Sequence, residues 1–186
     1  MGLVDLWLPI LLSAVFVFAA SSILHMCLPI HKSDFSGMPG EADTMAAMRS
    51  QGLKPGSYVF PYCSSMADVA KPEHMAKLNE GPVGFMHVLP NGSMNMGKSL
   101  GQWFAYSLVM SVFVGYVGTM GLSAGEGFMG VFRLTTATAL IGYGLANATD
   151  SIWKGVSWTV TAKFFFDGVV YALVTGAAFG WLWPDV

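Results

Sequence analysis

Charged residues are scarce in this chain of 186 residues and make up 11% of it, whereas soluble proteins average about 25%. Hydrophobic residues make up 54%, which exceeds the roughly 45–50% of soluble domains. With so few charges, the chain does not have the surface of an ordinary soluble domain, and the composition indicates a membrane protein. A net charge of −2 also excludes the positive field that a nucleic-acid-binding protein needs.

Cysteine is scarce as well, with two residues in the chain, Cys27 and Cys63. The sequence has no pair of CxxC motifs, the spacing that would mark a zinc-ribbon type of site. It also has no phosphate-binding loop, nucleophile elbow, zinc-protease helix, dinucleotide fingerprint or haem-attachment motif. The absence of these motifs favours a protein that is not an enzyme.

Four long stretches carry little or no charge, and each has about the 20 residues that cross a hydrocarbon core. They are residues 6–24, 99–125, 128–149 and 164–183. Asp5 precedes the first stretch and no basic residue does, which favours a retained helix over a signal peptide. Glycines in the second and fourth stretches, including the Gly176 and Gly180 pair, predict close helix packing.

Three threonines in the third stretch, Thr135, Thr136 and Thr138, are compatible with lipid because their hydroxyls can bond back to the helix backbone.

Residues 31–98 separate the first two stretches and predict a folded insertion. Helices are expected at 41–51 and 72–80 and a strand at 57–60, while 83–89 alternates and leads through Pro90-Asn91-Gly92 to 93–96, as in a hairpin. The predicted fold is therefore a membrane all-α protein. It consists of a four-helix transmembrane bundle with a small α+β extramembrane insertion between helices 1 and 2. The expected boundaries are 1–30 for the first transmembrane helix, 31–98 for the insertion and 99–186 for three further transmembrane helices.

The distribution of basic residues predicts the orientation. Eight of the nine Lys and Arg residues fall in 31–98 or in the connection 150–163, and the ninth is Arg133. Because basic loops stay in the cytoplasm, residues 31–98 are expected to be cytoplasmic and both termini outside.

All four histidines and both cysteines fall between residues 25 and 87. His25, Cys27 and His31 cluster around the end of the first stretch, where imidazole and thiolate groups can bind zinc or copper. Cys63 is a further candidate ligand. Two alternatives stay open: an interfacial histidine beside a small buried cysteine, and a Cys27–Cys63 disulfide if the insertion faces an oxidising compartment.

Other chemical features have structural interpretations. The thirteen methionines suit copper(I), but flexible packing is the favoured interpretation. Asp150 with Lys154 and Lys163 with Asp167 have the four-residue spacing of helical ion pairs. Boundary pairs of this kind are favoured over an ion pathway. No cofactor is predicted for the chain, and copper or zinc is the alternative.

Four segments, 28–34 (LPIHKSD), 81–85 (GPVGF), 167–171 (DGVVY) and 180–184 (GWLWP), carry a resemblance. They are similar to segments of small uncharacterised bacterial inner-membrane proteins with four predicted transmembrane helices and no assigned activity. The resemblance implies one span, a folded segment and three further spans in a bacterial inner membrane. It implies no catalytic residue.

The sequence predicts a non-catalytic integral membrane protein, acting as an accessory, scaffold or assembly subunit of a membrane complex. Its expected partners are the lipid bilayer and another membrane protein or further copies of itself. The first alternative is a metal-handling or redox membrane protein that uses His25, Cys27 and His31. The second is a small transporter, in which Arg133 or Asp167 acts on the transported ligand.

Overall fold

A computed structural model describes residues 1–185. In chain order its main elements are α1 (Trp7–Ser22), α2 (Glu41–Ser50), β1 (Gly56–Phe60), α3 (Pro72–Glu80), β2 (Gly84–Val88), α4 (Met96–Gly121), α5 (Phe128–Tyr143), α6 (Ala148–Lys154) and α7 (Trp158–Leu182). Contacts divide the chain into two compact units. The first holds residues 1–34, 95–151 and those from 156 onward, and the second holds 35–94 with 152–155.

Four helical stretches are long and apolar enough to cross a membrane, namely Leu3–Cys27, Met96–Gly121, Phe128–Lys154 and Trp158–Leu182. The four predicted stretches are confirmed in number and order, but their limits differ. The fourth begins at Trp158 instead of residue 164, because Ser157 caps the helix and accepts the Thr159 N–H. Lys163 and Asp167 consequently both lie inside the helix.

Helix α7 is central to the first unit, since it packs against both α1 and α5, while α4 also packs against these two helices. Gly168 on α7 lies against the backbone of Gly144, and Gly176 lies against Thr136 on α5. No larger side chain fits at either contact without movement of the neighbour. The close packing predicted for the glycines of the fourth stretch is therefore confirmed.

Many hydroxyl groups in the first unit bond to nearby helix backbone or to each other. Thr135 donates to the carbonyl of Val131 at 2.7 Å, as predicted, whereas the buried Thr136 hydroxyl, for which the same bond was predicted, has no hydrogen-bond partner in the described chain. Ser13 on α1 donates to the Oγ of Ser111 on α4 at 2.7 Å, and both residues are fully buried. These bonds let polar side chains lie among apolar ones at little cost.

The second unit contains α2, α3 and one antiparallel strand pair. Gly56 lies opposite Val88 in β1 and β2, and Phe60 lies opposite Gly84. The expected pairing of 83–89 with 93–96 is wrong. Asn95 instead caps α4 by accepting the Lys98 N–H at 3.0 Å, so the chain enters a helix where a strand was predicted.

None of the described residues 35–94 is buried. Several of their large apolar side chains are strongly exposed, among them Phe35, Tyr62, Met66, Val83 and Leu89. A segment of this size does not bury a core of its own.

Candidate metal centre

The end of the first candidate span brings two histidines together. His25 lies in a wide π-helical turn, Ile23–Cys27, in which the Leu28 N–H reaches the Ile23 carbonyl at 3.1 Å. The chain is then extended at Leu28, and Pro29 begins a short 3-10 helix, Pro29–Ser33, that carries His31. As a result, the rings of His25 and His31 stack with their centroids 4.2 Å apart and their planes 22° from parallel.

Asp167 on α7 faces both histidine rings. Its Oδ2 lies 2.9 Å from Nε2 of His31 and 3.3 Å from Nε2 of His25. The Asp167 side chain is 2% exposed. Since α7 begins at Trp158, Asp167 lies about 13.5 Å along the helix axis from its start, and not near the end of a span as the sequence had predicted.

The contact between Asp167 and His31 is not a hydrogen bond, despite its length. Both Asp167 oxygens and the His31 Nε2 are buried, and none of them has a hydrogen-bond partner in the described chain. Their separation of 2.9 Å is that of an ion pair. A buried carboxylate in such a place needs a proton or a cation beside it to balance its charge.

Asp34 contacts Nδ1, the other ring nitrogen of His31. Its Oδ2 lies 2.6 Å from Nδ1 of His31, and its Oδ1 accepts a hydrogen bond from Lys163 Nζ at 2.6 Å. Burial raises the pKa of Asp34, but the hydrogen bonds from Lys163 and His31 and their positive charges outweigh it, so the pKa lies below its ordinary value. Asp34 is thus ionised at neutral pH and accepts a hydrogen bond from the N–H at Nδ1 of His31, so that Nε2 is the ring nitrogen that faces Asp167.

The structure brings together two of the four metal ligands predicted from the sequence and leaves the two cysteines outside the group. His25 and His31 come together, and Asp167 completes a group whose potential ligand atoms all lie within 4.8 Å of one another. Cys27 is exposed, and both Cys27 and Cys63 are free thiols in the described chain, so the alternative disulfide is not formed.

The charged residues also differ from expectation. The predicted pairing of Lys163 with Asp167 is wrong, since Lys163 pairs with Asp34 while Asp167 faces the histidines. Arg133, the other residue of the transporter hypothesis, is exposed on α5.

Asp34 and Asp167 are the members of the site that sequence reasoning missed. Asp167 follows Lys163 by four residues and so was assigned to a boundary ion pair. The available signal was a single acidic residue in a long apolar stretch, which by itself points to function in a membrane protein. Asp34 lies three residues after His31, a spacing that lets the two side chains meet in a helical turn.

No protein-family model, curated protein or solved structure matches the chain.

Proposed function

We propose that this protein is a multi-pass membrane protein that binds a divalent transition-metal ion through His25, His31 and Asp167. The observation that carries the proposal is the buried Asp167 carboxylate, which faces two imidazole nitrogens and forms no ion pair with a Lys or Arg of the described chain. Two histidines and one carboxylate form a donor set typical of zinc and of non-haem iron(II).

The distances suit an ion of this size. Ligand atoms bound to tetrahedral zinc at about 2.0–2.1 Å lie about 3.3 Å from one another. The two separations from Asp167 Oδ2 are 2.9 and 3.3 Å, which match this value, and the stacked histidine rings turn out of parallel when both nitrogens face one ion. The His25 side chain is 38% exposed, which leaves one side of the centre open, as in sites that accept a further ligand.

The surroundings of His31 support a metal over a simple proton. The contact between His31 Nε2 and Asp167 Oδ2 does not meet the geometry of a hydrogen bond. A ring nitrogen and a carboxylate oxygen at 2.9 Å can instead share one metal ion. Asp34 on Nδ1 then completes a carboxylate–histidine–metal arrangement, which fixes the ring and raises its basicity.

Charge balance favours the same conclusion. Asp34 has Lys163 as its counter-ion, whereas no Lys or Arg in the described chain forms an ion pair with Asp167. A cation at Oδ2 compensates this charge. An uncompensated buried carboxylate costs on the order of several kcal/mol, because the ion loses its hydration.

The test is element analysis of the full chain purified in detergent, loaded with Zn²⁺ and dialysed. We expect about one zinc per wild-type chain, because the three donors bind one ion. His31→Ala and Asp167→Ala should each lose stoichiometric zinc, whereas His74→Ala, which removes a histidine outside the site, should retain it. Size-exclusion chromatography of each variant verifies that it is folded.

The proposal is wrong if wild-type protein retains no more zinc, iron or copper than His31→Ala does while both run as the same monodisperse species. In that case a proton on His31 balances Asp167 instead.

The proposed location follows from the four long apolar helices. We place the protein in a bacterial inner membrane, with residues 31–98 in the cytoplasm and both termini outside, on the distribution of basic residues.

A role as an accessory subunit is the second candidate, and it rests on residues 35–94, none of which is buried in the described chain. Apolar exposure of this kind is typical of surfaces that another protein covers. Phe35→Ser and Met66→Ser should detach a stoichiometric membrane-protein partner that copurifies with wild type after mild extraction. A wild-type chain that light scattering shows to be a monomer without such a partner contradicts this candidate.

A further inference from the structure

An open cavity of about 890 Å³ lies beside Asp167 within the first unit. All four candidate spans contribute to it, and its size is that of a site for a small organic ligand. Five aromatic side chains line it, namely Trp103, Tyr106, Tyr143, Phe164 and Tyr171. The Trp103 ring lies 5.5 Å from that of Tyr106 and 5.7 Å from that of Tyr171, measured between centroids.

One end of the cavity carries unpartnered polar groups. Asp167 and Tyr171 both line it and lie one turn apart on the same face of α7. The Tyr171 hydroxyl and both Asp167 oxygens are buried, and none of them makes a hydrogen bond of good geometry in the described chain, although the Tyr171 hydroxyl lies beside Ser21. The indole N–H of Trp103, by contrast, already donates to Ser21 Oγ at 2.8 Å.

The unpartnered pair specifies a ligand group. The Asp167 carboxylate accepts a hydrogen bond, and the Tyr171 hydroxyl both donates and accepts. A ligand hydroxyl satisfies both residues at once by donating to the carboxylate and accepting from the phenol. An apolar ligand leaves both buried groups unpaired, which is unfavourable.

The cavity rim is partly apolar. Met26, Met96 and Leu100 line the cavity and are exposed, and so are Ser99 and Gln102. A mixed rim suits entry of a ligand that is apolar but carries a polar group, and the aromatic side chains of the walls suit a flat ring.

We infer that this cavity binds a lipid-soluble phenol, with its ring among the aromatic side chains and its hydroxyl between Asp167 and Tyr171. The inference rests on the proposed metal centre in one respect: the phenol oxygen lies on the open side of the ion. Its hydrogen bonds to Asp167 and Tyr171 do not require the ion.

The experiment compares 4-octylphenol with octylbenzene, which has the same apolar body without the hydroxyl. Each is titrated into the full-length chain in detergent, and native mass spectrometry counts bound ligand, with Zn²⁺ present and again after stripping with EDTA. We expect one octylphenol per chain and about tenfold weaker binding of octylbenzene, since the latter leaves two buried polar groups unpaired.

Two pairs of variants locate the site. Tyr171→Phe keeps the ring and should weaken octylphenol binding several-fold without changing octylbenzene binding, whereas Tyr116→Phe, at an exposed tyrosine on α4, should change neither. Ser99→Phe places bulk in the cavity and should abolish binding of both ligands. Thr119→Phe, on the same helix away from the cavity, is its control.

Equal binding of the two ligands by wild type overturns the inference, as does an endogenous phospholipid that octylphenol does not displace. Binding that depends on Tyr171 in a chain that takes up no zinc supports the phenol site and refutes the metal centre. Zinc uptake with equal binding of the two ligands supports the metal centre and refutes the phenol site.

Discussion

Asp34 is the residue that gives His31 its chemical role. It binds Nδ1 on one side and Lys163 on the other, and it is nearly fully buried, with a side-chain exposure of 3%. The tautomer and the orientation of the His31 ring both follow from this contact. Asp34 therefore acts on the proposed ion through His31 and is a positioning residue.

Replacing Asp34 by Asn is expected to lower the affinity for Zn²⁺ by about 10–100-fold, the usual effect of removing the partner of a metal-binding histidine. The affinity is measured by competition with a chromophoric chelator. Asp68→Asn, which removes a carboxylate that pairs with Lys71 on the exposed surface, serves as the control and should bind zinc as the wild type does. Equal affinities for Asp34→Asn and wild type would show that His31 needs no orienting partner.

Single residues of the site were only partly predictable from the sequence. His25 and His31 were identified because they lie six residues apart at the end of an apolar stretch. Cys27 lies between them, but sequence spacing does not reveal that the chain widens into a π-helical turn there and leaves the thiol exposed. Asp167 is 136 residues from His31, so its contact depends on tertiary packing that no local pattern encodes.

At the scale of elements, α7 positions the site because it approaches its neighbours so closely. A Cβ on Gly168 would meet the N and Cα of Gly144 and the carbonyl of Tyr143, all of which are backbone atoms. Backbone does not move aside as a flexible side chain does. Asp167 precedes this contact directly, so the same packing fixes its position along the helix.

Gly168→Ala is expected to destabilise the fold by about 1–3 kcal/mol, the usual cost of overpacking. Thermal unfolding in detergent, followed by circular dichroism, measures the change. Gly101→Ala is the matched control on α4, where nothing lies within 4 Å of the added methyl. Because alanine favours the helix more than glycine does, this variant should be more stable than the wild type by about 0.5–1 kcal/mol. A Gly168→Ala protein as stable as the wild type would contradict the close contact.

The helices were more predictable than the sheet. Long apolar stretches identify candidate spans because length and composition alone decide whether a segment suits a membrane. A strand such as β2 is recognisable from its alternation, but its partner is not. The hairpin-like Pro90-Asn91-Gly92 pointed to 93–96 as the partner, but Asn95 caps α4 and β2 pairs with β1 instead.

At the scale of the whole molecule, the basic residues predict which compartment each connection occupies. Eight of nine lie in residues 31–98 or 150–163, so both termini should lie outside the cytoplasm. A C-terminal fusion to alkaline phosphatase, expressed in a Gram-negative bacterial host, is therefore expected to be active, and a C-terminal fusion to green fluorescent protein is expected to be dark. A fluorescent green fluorescent protein fusion together with an inactive phosphatase fusion would show that the orientation is the opposite one.

The metal ligands are the most specific claim, and zinc K-edge X-ray absorption on the loaded full-length chain tests them most directly. The account predicts a first shell of nitrogen and oxygen at about 2.0–2.2 Å, with outer-shell scattering from two imidazole rings and no sulfur. A sulfur shell at about 2.3 Å would instead place a cysteine thiolate on the ion and contradict the assignment of Asp167 as the third ligand.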